Sequence, residues 1–196
     1  PFSSVFHPDD VDFLETLNCP IYKISSFEIT DLNLIRYAAE TGKQVMLSIG
    51  MATFTEIMDA VIEALGYGAS GVTLLKCTSA YPANARDVHL ATLTDPALID
   101  LALANLGVSD HTPGIGVAVA AVALGAVVVE KHLTLSRADG GPDAAFSMEP
   151  AEFAQLVTEC RRAHEAIGQI HYGPTAAEAA SLPLRRPSGG KRMAAV

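Results

Sequence analysis

Two histidines stand where they could bind a metal ion together. His111 and His132 each end or follow a short apolar run that is typical of a buried strand. The carboxyl ends of parallel strands meet at one edge of a sheet, so two imidazoles that are distant in sequence could share one site. Neutral imidazoles suit a divalent transition metal. The alternative is two unrelated histidines, one in a turn and one in the core, and the spacing alone does not choose between them.

Glu130 lies two positions before His132 and could act beside it. Side chains alternate along a strand, so Glu130 and His132 are expected to face inward and Lys131 to face the other side. An inward carboxylate could orient a metal-binding histidine or take part in acid/base catalysis. The alternative is an internal ion pair with Lys23 or Lys76.

Lys23 and Lys76 lie on otherwise apolar predicted strands, where an unpaired ammonium is costly to bury. We therefore expect an anionic partner for each. Together with nearby hydroxyls and a glycine backbone they could form a phosphate or carboxylate site. The residues concerned are Ser26, Ser48, Gly50 and Ser109. Structural ion pairs remain the alternative for both lysines.

Asp143 could bind a substrate hydroxyl. It stands in a Gly-Pro-Asp sequence, however, which is also common in ordinary turns.

The elements that must position these residues follow a regular rhythm of apolar runs and amphipathic segments, which predicts parallel strands joined by helices. Strands are predicted at 2–6, 21–25, 44–48, 72–77, 107–109 and 126–132, and helices at 9–17, 32–41, 55–65, 95–104, 116–124 and 150–167. Six such units favour an α/β fold of the (β/α)8 TIM type over an open sheet. Since a full barrel needs about 250 residues, two units are expected outside this chain.

Composition excludes several classes of function. The 196 residues carry 13 basic and 22 acidic side chains, with no basic stripe before Arg185, which argues against nucleic-acid binding. The longest apolar run, 115–129, is interrupted by glycine and is shorter than the roughly 18 residues of a membrane span. Three cysteines without CxxC spacing predict neither a disulfide framework nor a cysteine-ligated zinc site, and they indicate a reducing compartment.

The chain divides into two parts. Residues 1–171 are predicted to form a partial barrel, and 172–196, rich in Gly, Pro, Ala and Arg, are predicted to form a tail or linker without helix or strand. Neither a GxSxG, P-loop, HExxH nor GxGxxG motif occurs, so the sequence offers no support for a serine hydrolase, a nucleoside triphosphatase, a zincin or a dinucleotide-binding protein.

Five segments, in order along the chain, resemble the sialic acid synthase family. They are YKISSFEITD at 22–31, LSIGMA at 47–52, LLKCTSAYP at 74–82, SDHT at 109–112 and EKH at 130–132. Within the family, Lys76 and the sequences SFEITD at 26–31 and LSRADGG at 135–141 resemble the branch that makes pseudaminic acid. Synthases for N-acetylneuraminate or legionaminate, and a non-catalytic barrel that binds sugar or phosphate, are the alternatives.

The resemblance implies a metal-dependent condensation of phosphoenolpyruvate with an open-chain amino sugar to give a nine-carbon 2-keto acid and phosphate. In the pseudaminic acid branch the sugar is 2,4-diacetamido-2,4,6-trideoxy-β-L-altropyranose. His111 and His132 would hold Mn²⁺ or Mg²⁺, and Glu130 and Lys23 would be catalytic. The residues expected to bind substrate are Lys23, Ser26, Ser48, Gly50, Lys76, Ser79, Tyr81, Ser109 and Asp143.

The same resemblance implies parts that lie outside this chain. The first two strands of the barrel and a carboxyl-terminal antifreeze-like domain are expected in the full-length protein. A homodimer and a cytoplasmic location are also expected.

Overall fold

Six parallel strands form one sheet whose spatial order equals the order along the chain. The computed structural model describes residues 1–103 and 105–185. The strands are β1 Ser3–Ser4, β2 Ile21–Ile24, β3 Gln44–Ser48, β4 Val72–Cys77, β5 Leu106–Asp110 and β6 Val128–Lys131. A doubly wound sheet reverses its strand order at a switch point, whereas a barrel adds each strand beside the last. The sheet therefore has the topology of six consecutive units of a (β/α)8 barrel.

Helices connect the strands as the periodicity predicts. They are α1 Pro8–Thr16, α2 Leu32–Ala39, α3 Phe54–Gly66, α4 Pro96–Leu101, α5 Gly116–Ala123 and α6 Pro150–Ile167. The start of α3 is fixed by a capping box, in which the Thr53 hydroxyl accepts from the Glu56 N–H and the Glu56 carboxylate accepts from the Thr53 N–H. The predicted end of α4, Ala104, lies outside the described residues. Of the helices in the two described ranges, none is both long and apolar enough to cross a membrane.

Several predicted elements are shorter in the structure, such as β6, which was predicted at 126–132 and spans Val128–Lys131, and two differ more clearly. The strand predicted at 2–6 is shortened to Ser3–Ser4, although the Val5 N–H still donates to the Lys23 carbonyl at 3.0 Å. The tail was expected to lack helix, but Ala176–Leu184 forms a 3₁₀ helix, so that expectation is wrong there. The reason is local: the Thr175 N–H and hydroxyl both donate to the Glu178 carboxylate and fix the first turn. Residues 186–196 of the predicted tail lie outside the described residues.

The apolar core lies between the sheet and its helices. Every second strand residue points to this outer face, including Tyr22, Leu47, Leu74 and Val108, which are all fully buried. The alternate residues point to the inner face and are more polar. This alternation decides which strand residues can reach a site inside the barrel.

Candidate functional site

A cavity of about 470 Å³ opens at the carboxyl ends of the strands. This is the edge of a parallel barrel at which active sites are built. Its lining comprises Ser4, Phe6, Lys23, Ser25, Ser26, Ser48, Cys77, Tyr81, Ser109, His111, Glu130, Lys131 and His132. Eight of the residues predicted from the sequence are therefore brought together: Lys23, Ser26, Ser48, Tyr81, Ser109, His111, Glu130 and His132.

The two histidine rings lie edge to face just beyond the ends of the adjacent strands β5 and β6. Their ring centroids are 5.3 Å apart. The Thr78 carbonyl, which can only accept, lies 2.9 Å from Nδ1 of His111, so Nδ1 carries the proton. In the neutral ring Nε2 is then free, and it lies 3.5 Å from the Ser109 hydroxyl. The backbone thus fixes the tautomer that leaves a lone pair for a ligand.

Aromatic and acidic groups surround the two imidazoles. The Tyr81 ring lies 4.3 Å from that of His111 between centroids, and the Phe146 ring lies 5.2 Å from that of His132. Asp143, which was predicted from its turn, has Oδ2 at 3.6 Å from Nδ1 of His132. The predicted sugar-side residues Tyr81 and Asp143 therefore both lie beside the histidine pair.

The pKa values of the two histidines are shifted in opposite directions. Burial alone would lower the pKa of His111, but its contacts with the Cys77 thiol and the Thr78 carbonyl outweigh burial, and the net shift is upward. Burial and the nearby charge of His111 lower the pKa of His132. His111 is therefore the first of the two to take up a proton, and acid is expected to weaken any metal bound by both rings.

The donor set fits a divalent ion held by two imidazoles. His111 and His132 both line the cavity, and Glu130 and Ser109 face the same space. Within the described ranges no group of three or more His, Cys, Asp or Glu side chains is arranged to hold a metal. A two-histidine site leaves most coordination positions to water and substrate, as a catalytic metal requires and a structural metal does not.

Lys23 places a buried cation on the inner face of β2. Its side chain is 5% exposed, and Nζ donates to the Ile24 carbonyl at 2.9 Å. The Glu130 carboxylate is only at the limit of an ion pair, with Oε2 at 4.0 Å from Nζ. Burial lowers the pKa of Lys23, and the Glu130 charge only partly offsets this. An anionic ligand in the cavity would supply the close negative charge that the buried Lys23 ammonium lacks.

Gly50, Ser26 and Ser79 form a small cradle, of which Ser26 lines the same cavity as Lys23. The Gly50 N–H donates to the Ser26 hydroxyl at 3.1 Å. A Cβ at position 50 would lie 2.7 Å from the Ser79 Oγ and 2.8 Å from the Ser26 Oγ, so only glycine leaves room for both hydroxyls. A backbone N–H with two hydroxyls is a set that suits phosphate oxygens.

Four of the predicted site residues are not in the cavity lining: Gly50, Ser79, Asp143 and Lys76. Gly50 and Ser79 belong to the cradle with Ser26, and Asp143 lies beside His132. Lys76 is the one of the four that lies on the outer face of the sheet, as the register partner of Val108. It has the opposite parity to Cys77, which lines the cavity, and its Nζ donates to the Cys77 carbonyl at 2.9 Å. Burial lowers the pKa of its ammonium. Its role in binding substrate stays a prediction.

Cys77 is a cavity residue that the sequence analysis missed. Its Sγ lies 3.8 Å from Nδ1 of His111 and 4.0 Å from the Ser79 hydroxyl. Burial would raise the pKa of this thiol, but hydrogen bonds from His111 and Ser26 outweigh burial and lower it. Its place at the end of a predicted strand, beside Lys76, was the one indication in the sequence. The sequence could not show which face of the strand Cys77 occupies, because both faces of β4 are largely apolar.

Comparison with known proteins identifies the family. The model of the NeuB family matches residues 1–172. The chain belongs to the NeuB family. This confirms the resemblance to the sialic acid synthases that the five sequence segments carried.

Named relatives of this NeuB-family chain differ in their products. It is 42% identical over 168 residues to a pseudaminic acid synthase of Helicobacter pylori, a match that covers 86% of this chain and 49% of that protein. It is also 42% identical over 168 residues to an N,N'-diacetyllegionaminic acid synthase of Campylobacter jejuni, covering 85% of this chain and 50% of that protein. The chain thus spans about half the length of these curated relatives.

Solved structures confirm the fold of the NeuB-family chain. The N-acetylneuraminic acid synthetase of Leptospira borgpetersenii, solved in complex with citrate, matches with a TM-score of 0.82 and 34% identity over 94% of this chain and 64% of that one. The six sequential units described above are therefore part of a (β/α)8 barrel, as the sequence predicted.

Proposed function

We propose that the full-length protein is a nonulosonic acid synthase that condenses phosphoenolpyruvate with an amino-sugar aldehyde. One observation carries the proposal. A single cavity holds a buried ammonium with serine hydroxyls around it and, beside them, two imidazoles in an edge-to-face arrangement and a carboxylate. The ammonium and the hydroxyls suit a substrate with two anionic groups, a carboxylate and a phosphate. The imidazoles and the carboxylate suit a substrate carbonyl that must be polarised.

The chain's own residues bind phosphoenolpyruvate at the anionic end of the cavity. Lys23 supplies a desolvated positive charge, and the cradle of Gly50, Ser26 and Ser79 supplies hydrogen bonds to phosphate oxygens. Ser48 and Ser109, both nearly buried, offer further hydroxyls along the inner face. These groups orient the enol carbon toward the histidine pair and keep bulk water from it.

His111 and His132 are the residues that would hold Mn²⁺ or Mg²⁺. When bound, the ion supplies Lewis-acid polarisation of the aldehyde oxygen. The Thr78 carbonyl keeps Nε2 of His111 free for this purpose. Tyr81 and Asp143, beside the two rings, are placed to contact the sugar.

The reaction balances with one water molecule. The C3 carbon of phosphoenolpyruvate forms a bond to the aldehyde carbon, and the aldehyde oxygen takes up a proton to become a hydroxyl. Water adds to C2, and one of its protons passes to the Glu130 carboxylate and from there to the former aldehyde oxygen. The C2–O bond to phosphate then breaks, and the proton of the new C2 hydroxyl leaves with the phosphate as the ketone forms. The products are a 2-keto acid and inorganic phosphate. Glu130 is placed for this step because its carboxylate lines the cavity near Lys23, on the same side as both histidines.

For the sugar we propose 2,4-diacetamido-2,4,6-trideoxy-β-L-altropyranose, which makes the protein a pseudaminic acid synthase. The Helicobacter relative and the sequences at 26–31 and 135–141 support this substrate. The legionaminic acid precursor is the second candidate, because the Campylobacter relative matches at the same 42% identity.

The test is phosphate release from phosphoenolpyruvate by full-length protein with Mn²⁺. The altrose derivative, the legionaminic acid precursor and N-acetylmannosamine are compared as second substrates. Release with the altrose derivative alone is expected. Release with another sugar instead would keep the synthase and overturn its substrate, and no release with any sugar from folded, metal-loaded protein would favour a non-catalytic binding barrel.

The histidine variants test the metal assignment in the same assay. His111→Ala and His132→Ala should each lower turnover by about 100-fold or more, because Lewis-acid polarisation is worth several kcal/mol. His164→Ala removes an exposed imidazole on α6 and should behave as wild type. Full turnover after metal is stripped with EDTA would contradict the assignment.

A further inference from the structure

A buried ion pair joins the ends of β5 and β6 on the face of the sheet opposite the cavity's histidines. Asp110 and Lys131 are register partners on these strands, and Lys131 Nζ lies 2.7 Å from Asp110 Oδ2. Their side chains are 0% and 2% exposed. Asp110 directly precedes His111, and Lys131 directly precedes His132.

The pair extends to the far side of His111 through Thr112. Lys131 Nζ donates to the Thr112 carbonyl at 2.6 Å. The other Asp110 oxygen, Oδ1, accepts from the Thr112 N–H at 2.9 Å and from its hydroxyl at 2.7 Å. One lysine thus ties the residue before His132 to the residues on both sides of His111. Five polar groups satisfy one another, and a shift of either strand end would break several contacts at once.

The chemistry of the Asp110–Lys131 pair indicates that it fixes the positions of the strand ends more than it stabilises the fold. A buried ion pair often stabilises a fold no better than apolar side chains of similar volume, because desolvation offsets the attraction. The outer-face neighbours of this pair, Val108 on β5 and Val129 on β6, are such apolar residues. In some proteins a buried polar or ionic contact fixes the relative position of two elements at a cost in stability.

We propose that Asp110 and Lys131 are positioning residues that set the separation and orientation of His111 and His132. The inference deepens the proposed function, since it rests on those histidines holding the metal. The charged groups of the pair bond to each other and to Thr112, although Lys131 is itself among the residues that line the cavity. The pair acts through the backbone, as outer-shell partners of metal ligands do.

The decisive variant is the double substitution Asp110→Leu with Lys131→Met, made in the full-length protein. It removes both charges together and leaves no unpaired ion in the core. Mn²⁺ affinity is measured by titration calorimetry well below the melting temperature. We expect the affinity to fall about 10- to 100-fold, the range typical for loss of an outer-shell partner. Lys131→Arg, which keeps the cation, should retain most of the affinity.

A matched control removes another ion pair far from the cavity. Arg36 and Glu63 pair at 2.5 Å between α2 and α3, and Arg36→Met with Glu63→Leu should leave Mn²⁺ affinity unchanged. Wild-type affinity in a folded Asp110/Lys131 double variant would overturn the inference. An equal loss in the control would also overturn it, because the effect would then be general destabilisation.

A milder variant decides the matter if the double variant does not fold. Thr112→Val removes one hydrogen bond to Asp110 and keeps both charges, so a loss of Mn²⁺ affinity supports the inference and an unchanged affinity overturns it. Failure of the proposed function looks different. In that case the wild-type protein itself either binds no Mn²⁺ or binds Mn²⁺ and releases no phosphate with any sugar, and no variant is needed to show it.

Discussion

The two faces of the sheet differ in how their buried charges are matched. On the outer face, Lys131 and Asp110 satisfy each other at 2.7 Å among apolar side chains. On the inner face, Lys23 is just as buried, but its carboxylate neighbour Glu130 stands at 4.0 Å and is itself 38% exposed. A fully matched pair holds geometry, whereas an incompletely matched charge is available to a ligand. Alternation along the strands thus separates residues that hold the barrel from residues that can act inside it.

The largest effect is expected where the outer face is purely apolar. Leu74 is fully buried between β4 and the helices, so Leu74→Ala should lower the free energy of unfolding by about 2–5 kcal/mol. Urea unfolding of the full-length protein followed by circular dichroism measures this. Leu135→Ala, at a side chain that is 81% exposed, is the control and should change stability by no more than about 0.5 kcal/mol. If Leu74→Ala altered kcat/KM of the folded fraction as much as stability, the separation of the two faces would fail.

On the inner face, a substitution is expected to lower activity without lowering stability. Lys23→Met should lower kcat/KM for phosphoenolpyruvate by about 10²- to 10³-fold, since it removes a charge that stabilises anionic oxygens in a water-poor site. The free energy of unfolding should stay equal or rise, because a desolvated ammonium is lost. Steady-state kinetics measures the change in kcat/KM, and urea unfolding measures the change in the free energy of unfolding. Lys43→Met, at an ammonium that pairs with Glu15 at 2.5 Å outside the cavity, should leave kcat/KM unchanged. A Lys23→Met protein that is strongly destabilised yet fully active would refute the comparison.

A smaller change is expected in the phosphate cradle. A methyl group at position 50 would push aside the Ser26 and Ser79 hydroxyls, so Gly50→Ala should raise KM for phosphoenolpyruvate about tenfold, the worth of one hydrogen bond to a charged group. Initial rates over a phosphoenolpyruvate series measure KM. Gly66→Ala, in α3 with nothing within 4 Å of the added carbon, is the matched control and should leave KM unaltered. Equal KM values in both variants would show that the cradle does not bind phosphoenolpyruvate.

The smallest effect is a pH dependence of stability. Burial lowers the pKa of Lys23 in the folded protein below its ordinary value of 10.5, so the folded state gives up this proton before the unfolded state does. Unfolded chains then bind more protons, and wild-type stability should rise with pH in the interval between the lowered pKa and 10.5, relative to Lys23→Met. Urea unfolding of both proteins at several alkaline pH values measures the difference. A difference that stays constant or moves the other way would show that the ammonium is not desolvated.

Local patterns in the sequence were sufficient for the elements. Strand β3 and helix α6 begin and end where the apolar runs and periodicity predict, at Gln44–Ser48 and Pro150–Ile167. The parity of Glu130 and His132 was also readable, because two polar residues at alternate positions near a strand end mark one face. Eight of the predicted residues line the cavity because they lie at or after the carboxyl ends of strands, which meet at one edge of the sheet.

Only the tertiary structure decided how those residues are divided between the faces. The sequence determined that Lys76 and Cys77 end a strand, but both faces of that strand are apolar, so nothing local indicates that Cys77 lines the cavity. The Asp110–Lys131 pair and the contact of His111 with the Thr78 carbonyl join different strands and loops. Their existence depends on the register and curvature of the sheet, which are set by the packing of the whole barrel, whereas the strands themselves follow from short-range hydrophobic patterning.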